Sequence, residues 1–181
     1  PWASPPGGIW MSLILKPNGR RQLGQQGLLV FWRDGREPGR REGLACILAA
    51  CPEPGCDCAI VYVDGFIIDG QASAVVWDRD GVHLERPAGE NAGRVTLEQK
   101  MFAAVDPDSG EILADPDRPD ATDPAIVDWL ASEMDGELLE VLHRYSARAK
   151  GCPPEGPRKD IDLDAIEEFH LADVDDLLEG T

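Results

Sequence analysis

GLACILAACPEPGCDCAIVYVDGFIID, residues 43–69, decides how this chain folds. It sets two apolar runs on either side of a turn-rich array, CPEPGCDC (51–58), whose cysteines follow the spacing C-x4-C-x-C. The second run, AIVYVDGFIID, alternates and is rich in β-branched residues, which predicts a strand. The first, Gly43–Ala50, is apolar without a break and suits either a helix or a buried strand, and periodicity leaves the two open.

Pro, Glu, Pro, Gly and Asp fill the gaps between Cys51, Cys56 and Cys58, and such residues force turns that bring thiols to one concave side. Thiolates so gathered suit Zn²⁺, which in a structural site takes four ligands and leaves no open position. Cys152 supplies the expected fourth ligand, because it lies in a second Gly- and Pro-rich turn, KGCPPEGP (150–157), just past a predicted helix. The predicted cofactor is therefore a structural Zn²⁺ held by Cys51, Cys56, Cys58 and Cys152, stapling a β region to the helix that Gly151 closes. Cys46 competes for the fourth position, although within LACILAA a cysteine commonly acts as a small buried hydrophobe. His143, on a helix face, and His170, in an acidic tail, are the other candidates.

Three other readings of the array are weaker. Redox pairs more often use C-x-x-C with a helix following, whereas a strand follows here. An iron–sulfur cluster also takes four cysteines, but the spacing matches neither common ferredoxin pattern. Three unrelated structural cysteines is the plain alternative.

Working outward, SLILKP (12–17) and GLLVFW (27–32) read as short strands joined by the turn NGRR. RDGREPGRRE (33–42) reads as a mobile, solvated loop. SAVVWD and VHLERP form a predicted hairpin about DRDG, and TLEQKMFAAVD pairs with EILADPD across DPDSG. Thr122 or Asp123 followed by Pro124 opens a helix, and Asp135 opens a second whose last turns carry Arg144, Arg148 and Lys150. PPEGP (153–157) is a linker. Beyond it, Ile166, Phe169, Leu171, Val174, Leu177 and Leu178 form an apolar stripe in an acidic helical segment.

The expected fold class is α+β: a mostly antiparallel β region with a cysteine-rich zinc knot, packed by a helical hairpin and an acidic terminal helix. Residues 11–151 form the domain, 152–181 the linker and acidic tail, and residues 1–10 a leader or non-native remnant if Met11 is the start.

The chain of 181 residues is 43% hydrophobic, which suits one ordinary domain with a sizeable core. No apolar run approaches the roughly 18 residues of a membrane span, so no membrane association is expected. A formal net charge of −17 opposes adhesion to nucleic acid or anionic lipid. Residues 1–50 nevertheless sum to +4, and residues 160–181 hold nine acidic groups without Lys or Arg, which points to a charged partner or an internal latch. Five cysteines and no signal-peptide pattern argue against a secreted disulfide framework and for the cytoplasm. The preference for Arg over Lys and the abundance of Ala, Gly, Pro and Asp read as a GC-rich, bacterial-type coding bias.

Other chemistry is faint. Glu98 and Lys100, with Asp78 or Asp80 upstream, echo metal-dependent nucleases that pair carboxylates with a lysine. Arg33, Arg36, Arg40 and Arg41, with Arg20 and Arg21 near them and Trp32 alongside, would suit single-stranded nucleic acid, against which the net charge weighs. The leading expectation is a zinc-stabilised, non-enzymatic binding or adaptor protein with an unknown protein partner. The alternative is a metal-dependent hydrolase or nuclease using Asp78, Asp80, Glu98 and Lys100.

Overall fold

The computed structural model describes residues 9–24, 27–51, 53–78, 80–86, 93–114 and 122–150. The expectations for residues 1–8, for Cys152 and His170, and for the linker and acidic segment lie outside the described residues. The strands are β1 (Ile9–Ile14), β2 (Arg21–Gly24), β3 (Leu28–Asp34), β4 (Arg41–Ala50), β5 (Val61–Asp69), β6 (Ala74–Asp78), β7 (Gly81–Arg86), β8 (Gly93–Thr96), β9 (Gln99–Val105) and β10 (Ile112–Ala114). Among the described residues two helices follow, α1 (Pro124–Glu133) and α2 (Gly136–Ala149). The class is α+β, with every strand pair antiparallel.

One sheet has the order β1-β6-β7-β8 and the other β10-β9-β5-β4-β3-β2. The six-stranded sheet is the middle layer. On one face Leu28, Val30 and Trp32 of β3, Ala45 and Ile47 of β4, and Phe66 and Ile68 of β5 pack against Leu13, Val75, Val82 and Leu84 of the smaller sheet. On the other, Phe31, Leu44, Cys46, Leu48, Val63 and Met101 pack against Ile126, Trp129, Leu130, Leu138, Leu142 and Tyr145 of the helices. This arrangement resolves Gly43–Ala50: it is the last eight residues of β4, and its unbroken apolar run follows from burial on both faces.

Polar side chains within the cores tie neighbouring elements together. Gln22 Oε1 accepts from the Lys16 amide (2.7 Å) and from Trp32 Nε1 (3.1 Å), while its Nε2 donates to Ile14 O (3.1 Å). The Tyr145 hydroxyl donates to Leu48 O at 2.8 Å, tying α2 to β4.

Two strand expectations are corrected. The segments at 12–17 and 27–32 are strands but are not joined by the turn NGRR alone: β1 pairs with β6, whereas β3 lies between β2 and β4 in the other sheet. The turn at 17–20 carries the chain between layers, and Arg21–Gly24 then forms its own strand beside β3. The single strand expected at 96–106 is likewise divided. Thr96 ends β8 in the small sheet, and Gln99 starts β9 in the large one. The Arg-rich loop is also shorter than expected, because β3 and β4 stay paired out to Asp34 and Arg41, where Gly35 N–H donates to Arg40 O at 2.7 Å. Ile9 and Trp10 belong to β1, which therefore reaches ahead of Met11.

The two turns read as DRDG and DPDSG form where expected, with Asp78 accepting from the Asp80 amide (2.9 Å) and Asp106 from the Asp108 amide (2.9 Å). Both helix starts also hold. Asp123 accepts from the Ala125 amide ahead of Pro124, and Asp135 accepts from the Leu138 amide, each at 2.9 Å.

Candidate metal centre

The array CPEPGCDC occupies the connection between β4 and β5, the paired strands at the centre of the large sheet. A turn brings its thiols together: Cys56 N–H donates to Glu53 O at 3.2 Å, and Gly55 takes φ +79°, which a residue with a Cβ rarely adopts. The Sγ atoms of Cys51, Cys56 and Cys58 all lie within 4.8 Å of one another, with Cys56 and Cys58 at 3.2 Å. Tetrahedral zinc with bonds of about 2.3 Å sets its sulfurs about 3.8 Å apart, so these three can share one ion with small adjustments. All three thiols are free and half-buried. Among the described residues no other group of His, Cys, Asp or Glu side chains lies close enough to hold an ion.

Helix α2 delivers a cation to this site. Lys150, at its C-terminal end, donates from Nζ to Cys58 O at 2.9 Å and to Cys58 Sγ at 3.5 Å. Its desolvation opposes the charge, but the Cys58 hydrogen bond and the neighbouring thiols outweigh it and raise the Lys150 pKa. The Cys58 amide and thiol, with Cys51 assisting, lower the Cys56 pKa, while the bond to Cys56 and desolvation raise that of Cys58. Lys150 thus sets a positive charge beside the sulfurs, which is the electrostatic setting a thiolate ligand set needs.

The alternative fourth ligands are placed elsewhere. Cys46 is fully buried in the core beneath the helices, and five residues along an extended strand put it roughly 16 Å from Cys51. Burial pushes its thiol pKa far up. His143 sits two helical turns before Lys150, half exposed, with Nε2 3.2 Å from Asp108 Oδ1.

Asp78, Asp80, Glu98 and Lys100 are not brought to one ion site among the described residues. Asp78 Oδ1 is 2.9 Å from His83 Nε2, its Oδ2 is 3.5 Å from Arg94, and His83 Nδ1 lies 3.2 Å from Thr96 Oγ1. Glu98 pairs with Lys100 at 3.1 Å in the open. The arginines scatter as well. Arg21 is buried towards the helices, Arg33 stacks on Trp129 with Cζ 3.7 Å from the ring centroid and pairs with Glu42, and Arg41 donates to Gly19 O. Trp32 faces the core between the sheets, where no base can stack on it.

The sequence reading missed Lys150 as a neighbour of the thiols, having assigned it only to the helix dipole. Its position two residues before Cys152 was the available signal. Among the described residues, no helix is long and apolar enough to cross a membrane. No protein-family model matches the chain, and comparison with curated proteins and with solved structures finds no match.

Proposed function

We propose that this chain is a zinc-stapled, non-enzymatic binding or adaptor module acting in a reducing, cytoplasmic compartment on a protein partner. The observation that carries the reading is the convergence of Cys51, Cys56 and Cys58 at the end of the central strand pair. Zn²⁺ is the ion best suited to a cysteine-only set in a tight turn, and it takes a fourth ligand. Cys152 is that ligand in our reading. It follows Lys150 by two residues, at most about 7 Å of chain from the Lys150 Cα, and the Lys150 side chain already reaches Cys58, so Cys152 starts within a side chain's length of the thiols. A zinc bound this way closes the sheet onto the C-terminal end of α2. Its role is stability, because a four-thiolate site has no position left for substrate.

Metal analysis of the full chain purified without chelator tests the reading, with about one zinc per chain expected. Cobalt substitution reports the ligand set, since a tetrahedral four-thiolate site gives intense sulfur-to-cobalt absorption. Cys152→Ser should weaken that absorption and lower zinc affinity by an order of magnitude or more. Absence of zinc, or a Cys152→Ser chain that binds as the parent does, overturns the assignment.

A further inference from the structure

The turn between β3 and β4, the end of β5, and strands β7 and β8 enclose an open cleft of about 400 Å³ at the opposite end of β4 from the thiols. Its floor is apolar, from Leu84, Val95 and Leu97, and its rim carries Arg36, Arg40 and Arg86. Acidic groups line it too, but each already has a cation: Glu37 is 3.1 Å from Arg40, Asp69 is 3.8 Å from Arg86, and Glu42 is bound by Arg33. Two guanidiniums retain spare capacity. Among the described residues no carboxylate pairs with Arg36, and Arg41, whose nearest carboxylate oxygen is 3.8 Å away, has a buried Nε without an acceptor. An apolar floor rimmed by such donors fits an amphipathic segment that presents carboxylates beside large apolar side chains.

This chain contains one. We propose that residues 163–179 dock in the cleft intramolecularly, with Phe169, Val174 and Leu177 on the floor and carboxylates from Glu167, Glu168, Asp175 and Asp176 facing the arginines. Three arguments select this occupant over an outside one. The segment's acidic groups outnumber its basic ones seven to none, while residues 51–162 carry −14, so other surfaces of the chain repel it and the first fifty residues, at +4, attract it. The thirteen residues from Lys150 to Leu163 reach about 43 Å when extended, against roughly 30 Å along β4 from the thiols to the cleft. Tethering then supplies an effective concentration on the order of millimolar, which a separate acidic protein must exceed. The ion pairs already on the rim are exposed and weak, so exchanging them for the segment's carboxylates costs little. The proposal shares no residue with the zinc site and stands or falls apart from it.

Hydrogen exchange on the full chain at about 20 mM and 500 mM salt provides the test. Amides of 163–179 should exchange at least about tenfold slower than free-chain rates at low salt and several-fold faster at high salt, in step with the amides of residues 35–42. Arg36→Glu with Arg40→Glu should abolish the protection at low salt while the circular dichroism of the body is retained. Phe169→Asp, outside the body altogether, should do the same and so covers a failure of the arginine variant to fold. Free-chain rates at both salts, protection unchanged in these variants, or protection that grows with protein concentration and so reports docking into a second copy, would each overturn the proposal.

Discussion

Arg21 Nη2 lies 2.6 Å from Asp135 Oδ2, an ion pair between the edge strand β2 and the residue that caps α2, 114 positions apart. The guanidinium is almost wholly buried and also lies 5.9 Å from the Phe31 ring centroid. One carboxylate thus both starts the helix and docks it on the sheet. Asp135→Ala removes the cap and takes the carboxylate away from a buried guanidinium, and should destabilise by roughly 2–4 kcal/mol in urea unfolding. Arg21→Met with Asp135→Asn retains a cap and leaves no orphaned charge. That double variant should lie within about 1 kcal/mol of the parent.

Stability should fall in acid through two carboxylates. Burial disfavours the charged form of Asp135, but the Arg21 guanidinium and the Leu138 amide outweigh it and hold its pKa below the usual value. At Asp78 burial is likewise outweighed by His83, the Asp80 amide and Arg94. For a carboxyl lowered in the folded state, the stabilisation is complete above the unfolded pKa of about 4 and drains away as pH falls through the folded value. Thermal melts should therefore show Tm dropping below about pH 4, with a shallower drop for Asp78→Asn and Asp135→Asn. An equal slope in parent and variants would contradict the two pairings.

The contact of Tyr145 with the sheet predicts a graded pair of effects. Tyr145→Phe loses the bond to Leu48 O and should cost about 1 kcal/mol, slightly more if the carbonyl finds no other donor. Gly27→Ala should cost more. A Cβ there would sit 2.8 Å from Tyr145 Cε2, at a residue with φ +85°. Overpacking of this kind costs about 1–3 kcal/mol before the backbone strain is added, which differential scanning calorimetry will resolve.

Thiol chemistry should separate the cysteines. In native protein stripped of metal, iodoacetamide should modify Cys51, Cys56 and Cys58 and spare Cys46, whose burial removes both access and ionisation. Added zinc should protect the three, and chelation should lower Tm, since binding a structural zinc contributes directly to folding. Mass spectrometry of tryptic peptides reads each site. Alkylation of Cys46 in the folded chain would show that the core is looser than the structure has it.

The exposed pair Glu98 and Lys100 offers a contrast. Glu98→Gln or Lys100→Met should shift stability by no more than about 0.5 kcal/mol, as expected of a solvated ion pair. A larger loss, read from urea midpoints, would mean that these side chains are engaged in ways their exposure does not suggest.

What the residues settle by themselves is local. Asp123 before Pro124, Asp135 ahead of Leu138, the turns DRDG and DPDSG, and the gathering of Cys51, Cys56 and Cys58 all depend on groups a few residues apart, and each is found in the folded chain as read. Tertiary structure alone decided the rest. Whether Gly43–Ala50 became helix or strand depended on layers forming on both of its faces, and an unbroken apolar run carries no period to announce them. The division of β1 from β3, the reach of Arg21 to Asp135, and the meeting of Lys150 with Cys58 join segments far apart in sequence. Contacts of that range are selected by how much apolar surface the whole arrangement buries and which buried charges it can pair, quantities that no short window of the chain contains.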